Sequence, residues 1–415
     1  MTALLLTVGD EILLGQITDT NAAWLGAHLP AAGVHVMRGE SVGDTREAIV
    51  GALAGATERV VIVTGGLGAT TDDLTREAVA AFAGRDLVFR PDLYDGLAAF
   101  YRDRGRPVPE AAAHVMAHAP DGFEALDNPV GTAPGLWGDV TVGGRDVTLI
   151  LLPGVPREMR AIAEASVLPR LAARADEAVA WRTLLTIGVP ETEVSAMLDG
   201  VALPAGLGWA FLPSVGSVRV RVTGVGPDRA AVEAAVARAA DAARTALGDL
   251  VAGEGADTLE GVVLDALAAR GWTLATAESC TGGAIAAALT GVPGASRVFA
   301  GGIVAYGNPV KTAQLGVPEG LLETHGAVSE PVVRAMAEGV RAATGANVGV
   351  SATGVAGPGG GTPEKPVGTV WIAVASPAGT TAQLLRLSPD RATNIARTVV
   401  AALDLVRREG MGNGE

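Results

Sequence analysis

Four short apolar runs do most to limit what this chain can fold into. TALLLTVG (2–9), VVIVT (60–64), LILLPG (149–154) and WTLATAE (272–278) are nearly continuous in Val, Leu, Ile, Ala and Thr, and each stops at a glycine or a polar residue. A run of this length without polar alternation reads as a strand buried on both faces. Helix-like segments separate the runs, so the pattern is that of a doubly wound α/β fold. Ligands in such sheets sit beyond the carboxyl ends of the strands. The loops that follow these runs are therefore where function is sought.

The first part of the chain, 1–165, continues the alternation. A helix is expected over Thr20–Leu29, closed by Gly33, and Asp44-Thr-Arg-Glu47 reads as a capping box. The loop GGLGATTDD leads to a helix from about Asp73, and a hairpin near 138–152 turns at Gly143-Gly144. Residues 166–248 read as a small α+β unit. It has a strand in WRTLLTIGV, a helix over 190–199, two strands split near PSVGS, and a long Ala-rich helix from Asp228 to Leu247. It lacks the GxxG loop by which KH domains hold RNA, so it reads as a spacer. GDLVAGEGAD (248–257) is expected to be a linker, and Asp257-Thr-Leu-Glu260 to be a second capping box. The third part, 257–410, alternates again, with a helix expected from Cys280 and a last helix over 390–408.

Composition narrows the function classes. At 415 residues the chain has room for two or three domains. A single cysteine rules out a disulfide framework and fits a reducing cytoplasm. The start, MTALLLTVGDE, has no basic n-region, and no stretch is long enough to span a membrane. A net charge of -14 argues against a nucleic-acid surface but leaves room for small anionic substrates. Of 31 basic residues only two are Lys, Lys311 and Lys365. Lys, unlike Arg, becomes a neutral base when desolvated.

AESCTGG (277–283) places Ser279 and the lone Cys280 where a strand gives way to a helix. A lone Cys is most often a small buried hydrophobe, and a Ser there is often a plain N-cap. Helix starts also bind oxyanions and lower a thiol pKa, so either residue is a candidate nucleophile. Glu278, Thr281, Gly282 and Gly283 surround the pair. Two further strand ends carry polar groups: Tyr306, Asn308 and Lys311 in VAYGNPVK, and Thr353, Gly354, Gly357 and Gly360 before Lys365. In the first part, GGLGATTDD offers amides of Gly65, Gly66 and Gly68, with Thr70, to a diphosphate. Asp72 and Asp73 are hard oxygen donors for a metal.

These motifs carry a resemblance. AESCTGG, GASRVFAGGIVAYGNPVK, GAVSEPVV and TGVAGPGGGTPEKPVGTV resemble the C-terminal domain of the CinA (competence/damage-inducible) family. VGDEILLGQITDTNAAWL, SVGDTREAI, TGGLGATTDDLT, NPVGTAPG and LPGVPREM resemble its N-terminal molybdopterin-binding-like (MoCF) domain. The resemblance implies that the middle unit is that family's small KH-like linker domain. The resemblance implies a C-terminal amidohydrolase that converts nicotinamide mononucleotide (NMN) and water to nicotinate mononucleotide and ammonia. It favours Ser279 as nucleophile, and a Ser–Lys arrangement makes Lys311 the base. Tyr306 would relay a proton or hold substrate, and Thr353 would support the oxyanion. For the N-terminal domain it implies ADP-ribose hydrolysis with a divalent metal (Mg, Mn or Co) on Asp72 and Asp73. Asp10, Glu11, Asn21, Asp44, Asn128, Gly131 and Thr132 are the further expected contacts there. A homodimer is expected, without nucleic-acid or membrane partners. Ala69 replaces the family's usual Pro, and AAAHVMAHAP replaces its Asn-x-Lys-Gln-Ala segment. The alternative is a nucleotide- or pterin-binding regulatory protein linked to competence, with N-terminal catalysis reduced or lost.

Overall fold

The computed structural model describes residues 1–411. The chain forms two compact units, Met1–Ala180 with Gly224–Glu233, and Trp181–Thr223 with the chain from Ala234 onward.

The first unit holds eight strands: β1 (Thr2–Val8), β2 (His35–Val42), β3 (Val60–Thr64), β4 (Leu87–Phe89), β5 (His118–Pro120), β6 (Glu124–Leu126), β7 (Gly135–Val142) and β8 (Arg145–Leu152). Six of them make one sheet in the order β2-β1-β3-β8-β7-β6, and β4 pairs with β5. β1 runs parallel to both β2 and β3. Every residue of β3 is buried, as its unbroken β-branched run predicts. The expected hairpin is β7–β8, with Gly143 and Gly144 at φ of 58° and 77°. The side chains of Ala111, Ala113 and His114, in the segment that departs from the family pattern, lie outside the described residues.

The second unit holds a five-stranded sheet and most of a four-stranded one. The four-stranded sheet comprises β9 (Ala178–Ile187), β10 (Leu207–Ser214), β11 (Ser217–Gly226) and β12 (Val251–Glu254), in the order β10-β11-β9-β12. β12 corrects the sequence reading of 248–257 as a linker. Four of its ten residues form an edge strand antiparallel to β9. With only four residues between flanking glycines and acids, it lacked the apolar run that marks a strand. Ala252 also joins Leu185 and Ile187 in one apolar cluster with Leu259 and Val263 of the following helix.

The five-stranded sheet comprises β13 (Leu274–Glu278), β14 (Phe299–Val304), β15 (Val348–Gly354), β16 (Thr369–Ser376) and β17 (Gly379–Arg386), in the order β14-β13-β15-β16-β17. β13 is parallel to β14 on one side and to β15 on the other. The chain leaves β13 toward β14 and returns past it to β15, so the carboxyl end of β13 is a topological switch point.

Both expected capping boxes are displaced by one residue. Thr45 accepts from Ala48 N–H and Thr258 from Gly261 N–H. Asp44 and Asp257 instead accept the N–H of Asp10 and Glu254. Two adjacent cap-type residues gave the sequence no way to choose between them.

Candidate active site

Ser279 follows β13 directly, and its N–H donates to Ala352 O at 2.9 Å. The helix expected from Cys280 begins only at Ala284. The intervening turn needs two left-handed residues, Gly282 at φ 64° and Gly283 at φ 102°, which only glycine adopts without strain. Glu278 holds this turn. Its fully buried carboxylate accepts from the N–H groups of Gly283 (3.0 Å), Ile285 (3.0 Å) and Ala286 (2.8 Å). Glu278 therefore caps the helix, in place of the expected substrate contact. The N–H of Gly282 donates to Ser279 O. Those of Cys280 and Thr281 have no acceptor among the described residues.

Lys311, on the helix Asn308–Leu315, is only 1% exposed. Its Nζ lies 3.1 Å from Ser279 Oγ, 2.9 Å from Ala305 O and 3.2 Å from Tyr306 O. No carboxylate among the described residues pairs with it. Burial holds its pKa below the ordinary 10.5. A neutral amine has two N–H groups and one lone pair. As an ammonium its three N–H groups match Ala305 O, Tyr306 O and Ser279 Oγ; once a proton is lost, the two carbonyls still match the two remaining donors and the lone pair can face the Ser279 hydroxyl.

Cys280 is not a competitor. It is buried in the apolar cluster around Leu264 and Val350, unpaired, and burial pushes its thiol up to about 12. A thiol that remains protonated at neutral pH is a poor nucleophile.

The other expected residues divide. Thr353 Oγ1 donates to Ala327 O at 2.9 Å, so its proton is not directed at an oxyanion. Tyr306 meets Lys311 through its backbone carbonyl. Its exposed ring turns outward, where the hydroxyl accepts from Arg391 Nη2 at 3.0 Å. Arg391 Nη1 also donates to Gly357 O. Sequence reasoning missed Arg391, which lies 85 residues beyond Tyr306. It ties the Tyr306 loop to the glycine-rich loop and places a guanidinium between them. Asn308 is exposed at the start of its helix, and Thr281 is buried with its hydroxyl unpartnered. A Cβ on Gly354 would come within 2.8 Å of Thr369 O and Gly360 sits at φ 84°, so both meet backbone requirements. Lys365 reaches His325 O at 2.7 Å and fastens a loop.

In the first unit, Gly65, Gly66 and Gly68 lie where a Cβ would come within 2.2 to 2.5 Å of Val8 O, Thr75 Oγ1 and Asp73 Oδ2. Asp73 accepts from the N–H groups of Gly68 (2.7 Å) and Thr70 (2.8 Å) and from the Thr70 hydroxyl. Its carboxylate braces the loop, a role that the sequence reading of Asp73 as a metal ligand did not include. Arg76, also missed, is buried and donates to Leu67 O at 2.8 Å, and burial lowers its pKa to about 10. Asn128 donates to Ala133 O and Glu158, beside Gly131 and Thr132, and Asn21 donates to Gly154 O. Burial raises the pKa of Asp44, aided by the charges of Asp10, Glu11 and Asp72. Among the described residues, no three His, Cys, Asp or Glu side chains lie close enough to share a metal ion.

Three domain families match in order. They are the probable molybdopterin binding domain over 4–173, the damage-inducible protein CinA KH domain over 181–253, and the CinA C-terminal domain over 256–409. A CinA-like protein of Salinibacter ruber is 47% identical over 98% of this chain and 99% of its own length. The chain belongs to the CinA family. A CinA-like protein of Frankia casuarinae is also 47% identical, over 100% of this chain and 98% of its own. The crystal structure of the competence/damage inducible protein CihA from Agrobacterium tumefaciens is 40% identical, with a TM-score of 0.35, and covers 36% of this CinA chain and 91% of its own. No helix among the described residues of this CinA protein is long and apolar enough to cross a membrane.

Proposed function

We propose that the C-terminal domain hydrolyses the carboxamide of nicotinamide mononucleotide. The observation that carries the reading is the buried Lys311 amine, 3.1 Å from Ser279 Oγ and without a counter-charge. Ser279 Oγ attacks the carboxamide carbon while Lys311 takes its proton. The tetrahedral oxyanion forms near the turn after Ser279, where the amides of Cys280 and Thr281 are free to donate. The C–N bond then breaks. Lys311 returns the proton to the departing nitrogen, and ammonia leaves. Water, deprotonated by the same amine, cleaves the ester and releases nicotinate mononucleotide. Arg391, the guanidinium between the Tyr306 and Gly357 loops, would meet the substrate phosphate. The test is ammonia release from nicotinamide mononucleotide by the intact protein. An active wild type beside an inert Ser279→Ala variant supports the reading, and equal activity in both removes it.

For the N-terminal domain the proposal is ADP-ribose recognition at the glycine loop after β3. Near it, burial raises the pKa of Asp44, and the charges of Asp10, Glu11 and Asp72 add to the rise. The expected Asp72–Asp73 metal pair does not fit, because Asp73 is engaged by the loop. No step is therefore derived through a metal. Hydrolysis of ADP-ribose, with and without added Mg, Mn or Co, is the measurement that tests this domain.

A further inference from the structure

A cleft of about 850 Å³ lies in the second unit, and neither Ser279 nor Lys311 lines it. One wall comes from the ends of β9 and β10 and the start of β11, the other from β17 and the helix Arg391–Met411. The two walls belong to the KH and C-terminal domains, so the cleft sits at a domain junction, as small-molecule sites often do. Its volume lies within the usual range for such sites and far exceeds a packing void.

The chemistry of the lining is mixed. Ile187, Leu385, Leu387 and Val400 supply an apolar surface. On the long helix, Arg397, Val400 or Ala401, and Asp404 recur at the three- and four-residue spacing that shares one face. Asp404 is neutralised, since Arg407 and Arg408 pair with it at 2.8 and 3.1 Å. Arg407 is buried and also donates to Asp249 O. Arg397 differs: it is exposed to the cleft, and no carboxylate or carbonyl among the described residues engages it. The hydroxyls of Ser214 and Ser217 line the opposite wall, also without a partner among the described residues. Glu191 and Asp249 line the cleft too, which places any anionic group toward the Arg397 end.

We infer that this cleft binds a small organic anion with an apolar body, its carboxylate, sulfonate or phosphate on Arg397 and the body against Leu385, Leu387 and Val400. The KH domain, read from sequence as a spacer, thereby becomes half of a ligand site. The inference does not depend on the deamidase reading.

The test uses the full chain and the fluorescent probe anilinonaphthalene sulfonate, an apolar-bodied anion. Fluorescence should rise saturably. Arg397→Glu reverses an exposed charge and leaves the core intact, and should weaken binding about tenfold or more. Val400→Glu should do the same by spoiling the apolar wall. Leu14, 71% exposed in the other unit, controls for adventitious apolar binding, and Leu14→Glu should leave the titration unchanged. Binding that survives Arg397→Glu, or that disappears with Leu14→Glu, overturns the inference.

Discussion

Replacing Lys311 by Arg separates a base from a fixed positive charge. Lys311 Nζ contacts two carbonyls and the Ser279 hydroxyl, and burial depresses its pKa below 10.5. A guanidinium can donate to the carbonyls but has no lone pair for the hydroxyl and does not deprotonate. General-base assistance is worth about 10²- to 10⁴-fold, or roughly 3 to 5 kcal/mol of barrier. Lys311→Arg is therefore predicted to lose at least 10²-fold in kcat, as much as Lys311→Met. The pH profile supplies an independent reading. The neutral amine is the active form, so wild-type activity should rise with pH through the depressed pKa and reach a plateau before the ordinary lysine range. The assay is ammonia release at saturating nicotinamide mononucleotide, with circular dichroism to confirm that each variant is folded. A Lys311→Arg enzyme within about tenfold of wild type would refute the base role. So would wild-type activity that declines as the amine loses its proton.

Cys280→Ala should leave deamidation within a few-fold, and alkylating reagents should react slowly at neutral pH, because the thiol is buried with a pKa of about 12. Rapid alkylation that abolishes activity would contradict this. Glu278→Gln replaces a carboxylate that accepts three backbone N–H groups, and should cost about 2 to 3 kcal/mol in denaturant unfolding. An unchanged midpoint would show that the turn does not need the charge. Asp73→Ala should destabilise the first unit by about 1 to 3 kcal/mol, whereas Asp72→Ala, at an exposed side chain, should not. Equal midpoints for the two variants would count against the bracing role. A chelator should spare ammonia release, and its loss would require a metal at the Ser279–Lys311 site, where none of the contacts to Lys311 needs one. A fragment beginning at Ala256 should fold but melt below the intact protein, since Leu259 and Val263 lose Leu185, Ile187 and Ala252 as neighbours. Melting curves that coincide would remove that dependence.

The parts of the fold that were legible in the sequence are those written in local pattern. Continuous apolar runs announced β1, β3, β8 and β13, and two glycines announced the β7–β8 turn. Ser279 and Lys311 were also legible, one by its place at a strand end and the other by the scarcity of lysine. Features that depend on which atoms meet in space were not. Thr45 takes the cap in place of Asp44, and Asp73 is captured by its own loop. Arg391 joins two loops distant in sequence, and β12 acquires its strand conformation only by lying against β9. Thr353 shows the same limit. A hydroxyl at a strand end looks available until Ala327 O is found 2.9 Å away.

Because no opposite charge holds Lys311, added salt has little to screen there. A base tuned by an ion pair drifts as ionic strength rises, since mobile ions weaken the attraction that sets its proton affinity. Exclusion of water, which lowers the proton affinity of this amine, is not altered by dissolved ions. The midpoint of the acid limb should therefore stay nearly fixed from roughly 0.05 to 1 M salt, where the Debye length shrinks several-fold. If Arg391, which is exposed, holds the substrate phosphate as proposed, weakened capture should then appear in KM alone. The enzyme would keep its chemical rate over a wide span of cellular ion content, losing only its grip on dilute substrate.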